Sequence, residues 1–272
     1  MIQDLYGELE KSPAYGPDTA LYRTAMNCER MFDGSLSELE ILLADGALQK
    51  VYDFLLEYAD LAGFLSLMAH KRPNLRVLEI GAGTGGATST ILPNLRSKHG
   101  VTTYLSYTYT YISAGFFNDA KDRFKDYSGI EFSVLNISKN PWNRASKAES
   151  FNLIIAYNVL HATENLHKTL SNVRKLIHPE GRLLLQELAP RPMWAGVFGV
   201  LAGWWYGKSD GRTEAPYVEI DRWTDELLNG GFNNVTSMHD GYMNNNIVSQ
   251  PTSSIKPQKR VSVLRHCDQA SP

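Results

Sequence analysis

Residues 78–86 read LEIGAGTGG, and this stretch decides the fold of the chain. An apolar strand candidate, Arg76–Ile80, runs directly into a G-x-G-x-x-G pattern at Gly81, Gly83 and Gly86. After a strand and before a helix, such glycines allow a tight turn and a close approach of a ligand to the backbone. Taken alone, the pattern fits NAD, FAD or S-adenosylmethionine, and it also fits a glycine turn that binds nothing.

Glu79 narrows this choice because it places a carboxylate two residues before the first glycine. A carboxylate there repels a pyrophosphate and attracts a ligand that carries an ammonium and a sulfonium. The loop therefore favours S-adenosylmethionine over a dinucleotide. One feature opposes this interpretation: a ribose-binding carboxylate is expected at the end of the second strand, where the sequence has Tyr111.

Residues 71–250 alternate strand and helix. The clearest helix spans residues 166–177 and is closed by Pro179-Glu180-Gly181. Continuous apolar strands that alternate with helices predict an α/β fold with a mostly parallel sheet covered on both faces. About seven strands are expected, at Arg76–Ile80, Tyr107–Ile112, Glu131–Ile137, Phe151–Tyr157, Arg182–Leu188, Asn234–Met238 and Asn246–Ser249.

The sequence divides into three zones. Residues 1–70 have helical spacing of leucines and are predicted to form a cap, residues 71–250 form the core, and residues 251–272 read as a linker or tail. An insertion near 189–222 follows the fifth strand and is expected to face the substrate.

Composition excludes several classes of protein. The 272 residues carry 27 Lys and Arg against 29 Asp and Glu, which argues against a protein that coats nucleic acid. Cys28 and Cys267 cannot build a disulfide framework or a cysteine zinc site, and the histidines show no metal spacing. The N-terminus lacks a secretory signal and no apolar run is long enough to span a membrane, so we expect a cytoplasmic protein without a metal.

Several motifs together resemble the C-methyltransferase domain of fungal iterative, highly reducing polyketide synthases, or a free-standing, trans-acting relative. The similarity covers roughly residues 30–250, and the combination of NVLHAT with GWWYGKSDGR is specific. The segments are LEIGAGTGG (78–86), YTYTYISAGFF (107–117), NVLHAT (158–163), VRKLIHP (173–179), LLLQEL (183–188) and GWWYGKSDGR (203–212).

The resemblance implies a Rossmann-like class I methyltransferase core with S-adenosylmethionine as methyl donor. The substrate is then the α-carbon of a β-ketoacyl chain, held as a thioester on an acyl carrier protein. The family's catalytic dyad maps onto His161 and Glu187, and the asparagine of the same motif maps onto Asn158. Cofactor contacts are implied for Glu79, Gly81, Gly83, Gly85, Tyr111, Asn136, Ile137 and Tyr157.

The chemistry of the dyad is consistent with its position in the sequence. His161 follows strand 151–157 and Glu187 ends strand 182–188, so both are expected at the carboxyl ends of neighbouring strands, where ligands bind. A glutamate beside a histidine orients the ring and stabilises the imidazolium, and Asn158 is a candidate to hold an enolate oxygen. The alternative for His161 is a histidine bonded to backbone at the start of a helix.

The sequence departs from the family at two cofactor positions. Tyr111 stands where the family has aspartate, and Asn136 stands where the family often has aspartate. Asn136 still has one hydrogen-bond acceptor and one donor group for an adenine edge. Tyr111 cannot hydrogen-bond to both ribose hydroxyls as a carboxylate does, so we expect it to weaken cofactor binding.

Three aromatic residues are candidates to contact the substrate: Tyr52, Trp204 and Trp205, each with core packing as the alternative. Arg212 is interpreted as a solvated arginine rather than a contact to the carrier's prosthetic arm. Since acyl carrier proteins are acidic, their dock is expected at His70-Lys71-Arg72 or at Lys121, Arg123 and Lys125, each with a solvated helix face as the alternative. We predict a C-methyltransferase; the alternatives are a non-catalytic structural module of this fold and an O- or N-methyltransferase of a free small molecule.

Overall fold

The computed structural model describes residues 12, 14–57, 61–139, 149–240 and 243–252. Within these residues, seven strands form one sheet: β1 (Arg76–Ile80), β2 (Ser106–Tyr111), β3 (Ile130–Val134), β4 (Phe151–Tyr157), β5 (Ile177–Leu188), β6 (Phe232–His239) and β7 (Asn244–Pro251). Their order is β3-β2-β1-β4-β5-β7-β6. Most of the predicted tail, from residue 253 onward, and the first eleven residues lie outside the described residues.

The helices fall into a group before the sheet and a group between its strands. Before β1 lie α1 (Tyr15–Met26), α2 (Cys28–Phe32), α3 (Glu38–Leu43), α4 (Ala47–Glu57) and α5 (Ala62–Lys71). After β1 lie α6 (Gly86–Asn94), α7 (Phe117–Arg123), α8 (Leu166–Leu176), α9 (Pro192–Phe198) and α10 (Ile220–Asn229), together with 3-10 turns at Leu160–Ala162 and Ala202–Asp210. No helix in the described part of the chain is long and apolar enough to cross a membrane.

The sheet is mostly parallel, which confirms the predicted fold class. Strands β3, β2, β1, β4 and β5 pair in parallel, whereas β7 runs antiparallel to β5 and β6 antiparallel to β7. The predicted helix over residues 166–177 ends one residue earlier, at Leu176. Ile177 pairs with Phe151, so Pro179-Glu180-Gly181, which was predicted to close the helix, lies in the bulged beginning of β5, and β5 starts before the predicted Arg182.

Three apolar clusters hold the elements together. α8 and α10 cover one face of the sheet and α5, α6 and α7 cover the other, so six of the seven residues of β4 are buried. This double cover is why the parallel strands read as continuous apolar runs. A third cluster joins helices α3 and α4 of the N-terminal zone to α9 and to Trp204 of the insertion.

The order of the strands creates a crevice above β1 and β4. From β1 the chain continues to β2 and β3 on one side, and then returns to β4 on the other side. Ligands of open α/β sheets bind at such a switch point, outside the carboxyl ends of the strands. The glycine loop, Tyr111, Asn158 and Glu187 all lie at this edge of the sheet.

Candidate active site

The glycine loop at the end of β1 uses its glycines in two ways. Gly81, Gly83 and Gly85 have φ of 71°, 59° and 83°, a region that favours glycine. A β-carbon at Gly81 would lie 2.3 Å from Cγ2 of Val159, and one at Gly85 would lie 2.6 Å from the ring of Phe124. At Gly83 the nearest atom would be 3.8 Å away. Gly81 and Gly85 are therefore required by packing, and Gly83 leaves the backbone accessible to a ligand.

Glu79 lies beneath this loop with only 1% of its surface exposed. Its Oε2 accepts hydrogen bonds from the hydroxyls of Thr88 (2.7 Å) and Tyr107 (2.6 Å). Its Oε1 is buried without a partner among the described residues. Burial raises the pKa of Glu79 to about 7, against the effect of the two hydroxyls. Since an unpartnered buried oxygen is costly, this carboxylate suits a ligand that brings a cationic N–H donor.

Tyr111 ends β2 beside the accessible part of the loop. Its ring packs edge-on against Phe116, with centroids 5.2 Å apart, and its Cε2 would lie 3.9 Å from a β-carbon on Gly83. The structure thus places an aromatic ring at the position where the sequence pattern called for a ribose-binding carboxylate.

The remaining predicted cofactor residues lie at the ends of β3 and β4. Asn136 accepts a hydrogen bond from the backbone N–H of Ser138 (3.1 Å) through its side-chain oxygen, which leaves contact with an adenine edge to its amide nitrogen. Ile137 packs in the core and its carbonyl accepts from Asn172 (2.9 Å), so any contact with a cofactor falls to its backbone. Tyr157 is half-buried, and burial raises the pKa of its hydroxyl.

His161 and Glu187 are in direct contact. Nδ1 of His161 lies 2.5 Å from Oε2 of Glu187, whose side chain is fully buried, and 12% of the His161 side chain is exposed. Oε1 of Glu187 accepts the backbone N–H of Leu160 (2.8 Å). The prediction that β4 and β5 are neighbours is confirmed, and this pairing brings the two side chains together. Because Nδ1 is held by the carboxylate, Nε2 is the ring atom left to exchange a proton with a ligand.

Asn158 sits between the dyad and the glycine loop with an unusual backbone. Its φ is 49°, and its N–H donates to the carbonyl of Gln186 (2.7 Å), which fixes the turn after β4. Its Oδ1 is buried without a partner in the described structure. A half-turn of the amide exchanges oxygen and nitrogen, so the group can present a donor to a ligand oxygen.

Tyr217 is a site residue that the sequence reasoning missed. Its ring lies 4.6 Å from that of His161, centroid to centroid, and Trp204 packs edge-on against its other side at 5.3 Å. Trp204 is 5% exposed and its indole N–H donates to the carbonyl of Glu214 (3.2 Å). Trp204 therefore supports the wall beside His161, and Tyr217 forms it.

The structure shows that the interpretation of Arg212 as a solvated side chain was wrong. It is 4% exposed, and its guanidinium donates to the carbonyls of His161, Thr163 and Pro216 and to the carboxylate of Asp210. The GWWYGKSDGR segment signalled that this arginine matters, but its acceptors are mostly backbone carbonyls, which carry no sequence signal.

The helical zone covers the crevice through α4. Oε1 of Gln49 accepts a hydrogen bond from Thr84 of the glycine loop (3.1 Å). One turn later, Tyr52 leaves 39% of its surface open, yet burial raises the pKa of its hydroxyl to about 12. Its ring stacks on that of Phe198 of α9, with centroids 6.4 Å apart, so Tyr52 lies where α4 meets α9. Trp205, in contrast, is 42% exposed, donates to the carbonyl of Gly199 (3.1 Å) and lies on the outside of the insertion.

Comparison with known proteins places this geometry in a family. The family model of a methyltransferase domain matches residues 78–183. The chain is 50% identical to the highly reducing polyketide synthase pspA of Penicillium soppii over 273 residues, which is 100% of this chain and 11% of that protein. The crystal structure of the trans-methyltransferase CalH with SAH superposes with a TM-score of 0.86 at 34% identity, covering 92% of this chain and 72% of CalH.

A second solved structure, the CurJ carbon methyltransferase, gives a TM-score of 0.76 at 30% identity, covering 93% of this chain and 70% of that one. This chain belongs to the carbon methyltransferases of polyketide synthases and their trans-acting relatives. The predicted family, the Rossmann-like fold and S-adenosylmethionine as the family's cofactor are confirmed. The chain spans only 11% of the length of the polyketide synthase pspA.

The site of this carbon methyltransferase fits its cofactor at one end better than at the other. The unpartnered Oε1 of Glu79 and the accessible backbone at Gly83 suit the amino acid part of S-adenosylmethionine. At the ribose position, Tyr111 offers one hydroxyl and a ring face in place of a charge-assisted, two-point contact.

Proposed function

We propose that the chain methylates the α-carbon of a β-ketoacyl thioester carried by the acyl carrier protein of a polyketide synthase. The observation that supports this most strongly is the 2.5 Å contact between Nδ1 of His161 and Oε2 of Glu187, which prepares a general base at the ligand-binding edge of the sheet. S-adenosylmethionine, when bound, supplies an electrophilic methyl group.

His161 acts as the base in this proposal. Its Nε2 takes the α-proton, the C–H bond breaks, and the electron pair is delocalised onto the β-keto and thioester oxygens as an enolate. Glu187 keeps the proton on Nδ1 and stabilises the imidazolium that forms, while its own Oε1 stays bound to the N–H of Leu160. A β-keto thioester is acidic enough for such a base, whereas an unactivated carbon is not.

Asn158 assists by holding the enolate oxygen. Asn158 is half-buried, lies three residues before His161 and has a buried side-chain oxygen without a partner in the described structure. A donor that is already in place stabilises charge as it develops on oxygen, without having to reorganise.

Aromatic residues enclose the acyl chain. Tyr217, backed by Trp204, forms the wall at His161, and Tyr52, whose ring stacks on Phe198, contributes a second wall from α4. Closing this space excludes water from the enolate. Trp205 lies on the exposed side of the insertion, so it contacts the acyl chain only at the outer part of the entrance.

The carrier protein docks at Lys121, Arg123 and Lys125 rather than at residues 70–72. Arg123 donates to the carbonyl of Thr84 (3.1 Å), so this cluster lies at the edge of the sheet that bears the active site. Arg72 is paired with Glu180 at the beginning of β5, which is the opposite edge. A prosthetic arm must reach His161 from its dock, and these three cations, which alternate with Asp119, Asp122 and Asp126, can pair individually with carboxylates of an acidic carrier.

The test is transfer of a ¹³C-labelled methyl group from S-adenosylmethionine to a β-ketoacyl chain, offered as a pantetheine thioester and on a carrier protein. In the expected product, identified by NMR, the labelled methyl carbon is bonded to the CH carbon between the two carbonyls. The α,α-dimethyl analogue is the matched control, because it has no α-proton to remove. A label on oxygen or nitrogen would contradict carbon methylation. No transfer at all, with no binding of S-adenosylhomocysteine, would favour the structural module.

A further inference from the structure

The guanidinium of Arg212 donates hydrogen bonds to four residues, whereas an ion pair with Asp210 would use only one of these bonds. Its Nη1 donates to the carbonyl oxygens of His161 (2.5 Å) and Pro216 (3.1 Å), its Nη2 donates to the carbonyl of Thr163, and its Nε donates to Oδ1 of Asp210 (2.7 Å). The side chain is 1% exposed. A guanidinium in such a buried place is costly unless its donors are satisfied, and here all three nitrogens are in use.

These acceptors belong to the two segments that carry the His161 ring and its aromatic neighbour, Tyr217. The carbonyl of His161 belongs to the 3-10 turn that carries the base. The carbonyl of Pro216 immediately precedes Tyr217, whose ring lies 4.6 Å from the His161 ring. One guanidinium therefore sets the distance between the base and the aromatic wall packed against it.

Asp210 links Arg212 to α8, the helix that follows the His161 turn. Its Oδ2 accepts the backbone N–H of Leu166, the first residue of α8, at 2.9 Å. Gly207 leaves the room that this arrangement requires, because a β-carbon there would lie 2.6 Å from Cζ of Arg212. The insertion is thus shaped around the arginine.

We infer that Arg212 is a positioning residue, which holds the His161 ring between Glu187 and Tyr217. The inference rests on the proposed function of His161 as the base. Lysine cannot replace this arginine, since an ammonium lacks the planar fork that reaches three carbonyls and a carboxylate at once. A displacement of about 1 Å at a catalytic group is enough to cost on the order of 100-fold in rate.

The test compares Arg212→Lys with Arg222→Lys as a matched control. Arg222 donates to the backbone carbonyl of Asp210 (2.6 Å) and to Glu226 (3.4 Å), so it belongs to the same network but bonds one step away from the His161 turn. We expect Arg212→Lys to lower kcat for methyl transfer about tenfold to 100-fold, with KM and the affinity for S-adenosylhomocysteine unchanged. Arg222→Lys should change kcat less than twofold.

A spectroscopic readout separates this inference from the proposed function. With ¹⁵N-labelled histidine, the parent protein should show a low-field proton resonance for the His161 Nδ1–H bonded to Glu187. Arg212→Lys should shift or broaden it, and Arg222→Lys should not. This comparison needs no turnover, so it decides the inference even if the parent transfers no methyl group.

If Arg212→Lys fails to fold by circular dichroism, Gly207→Ala takes its place, because its methyl group crowds the guanidinium without removing it. The same loss of kcat and the same shift of the resonance are expected. An unchanged resonance together with an unchanged kcat in the folded variant would overturn the inference.

Discussion

The two ends of the crevice differ in how many of their polar atoms find partners within the chain. At the base end, both oxygens of Glu187 accept hydrogen bonds, one from His161 and one from the backbone of Leu160. At the cofactor end, Oε1 of Glu79 is buried without a partner in the described structure, and Tyr111 stands where a carboxylate was expected. The chain alone completes the contacts of the His161–Glu187 pair, whereas Oε1 of Glu79, like Oδ1 of Asn158 between the two ends, is left for a ligand to partner.

The largest effect is expected from removing the base. His161→Ala should lower the rate of methyl transfer by about 10³-fold, since a positioned general base contributes on the order of 10²–10⁴. The measurement is single-turnover transfer of labelled methyl. The affinity for S-adenosylhomocysteine should stay within about twofold, because the ring belongs to the other end of the crevice. A comparable loss of affinity would show that the two ends are not separate.

Glu187→Gln should come next, with a loss of about 100-fold in kcat. Glutamine keeps the size and an oxygen for the N–H of Leu160, but it loses the charge that stabilises the His161 imidazolium. The pH profile of kcat, measured beside the parent, provides the check. A variant with parental kcat would mean that the 2.5 Å contact is structural only.

Glu79 gives the cofactor end a dependence on pH. Burial raises the pKa of its carboxyl to about 7, so the charged form needed to meet a cationic ligand is lost as the pH falls below 7. Affinity for S-adenosylhomocysteine should fall about fivefold to tenfold per pH unit there. Titration calorimetry at pH 8, 7 and 6 measures this. Glu79→Gln should bind more weakly at pH 8 and with a flat profile; a flat profile in the parent would contradict the role of Glu79.

The raised pKa of Glu79 predicts the opposite pH dependence for the free energy of unfolding of the ligand-free protein. Its pKa in the folded protein is raised above the ordinary 4.5, so its contribution to the free energy of unfolding is present below pH 4.5 and is lost as the pH rises towards 7. Without ligand, Glu79→Gln should therefore be more stable than the parent at pH 8, by up to about 3 kcal/mol. The gain should disappear at pH 4.5, as measured by denaturant unfolding. A variant less stable at pH 8 would contradict the buried, ligand-free carboxylate.

The smallest effect is expected from charge changes at the proposed carrier-protein dock, Lys121, Arg123 and Lys125. Lys121→Glu with Lys125→Glu should raise KM about threefold to tenfold for a substrate on the carrier protein and should leave the pantetheine thioester unaffected. Lys71→Glu is the control at the opposite edge. An equal effect of both changes, or none from the pair, would remove this surface from the proposal; Arg123 is left intact because it also bonds Thr84.

Much of the fold was predictable because its determinants are local. Short apolar runs placed five of the seven strands of the described chain, and two later strands were expected where β6 and β7 lie. The residues between a strand and the next helix placed the glycine loop, Asn158 and His161 at one edge. The start of β5 was predicted too late, at Arg182 instead of Ile177, because Pro179 and Gly181 read as breakers although the bulged start of β5 tolerates them.

What the sequence could not show depends on contacts between distant segments. Arg212 looked solvated because its acceptors are carbonyls of residues 161, 163 and 216, which any sequence would supply. Trp204 and Trp205 are adjacent, but the 3-10 turn points one inward and one outward. Tyr217 follows an irregular stretch without periodicity, so nothing in the pattern brought it to His161.

The most direct test of the two-ended site is calorimetric titration with S-adenosylhomocysteine of the parent, Tyr111→Asp and His161→Ala. Measurable binding by the parent, binding tighter by about tenfold to 100-fold in Tyr111→Asp, and parental binding in His161→Ala are the predicted results, since the restored carboxylate regains a charge-assisted contact. If Tyr111→Asp binds no more tightly than the parent, or if His161→Ala loses binding, the division of the crevice into a complete base end and an incomplete cofactor end is wrong.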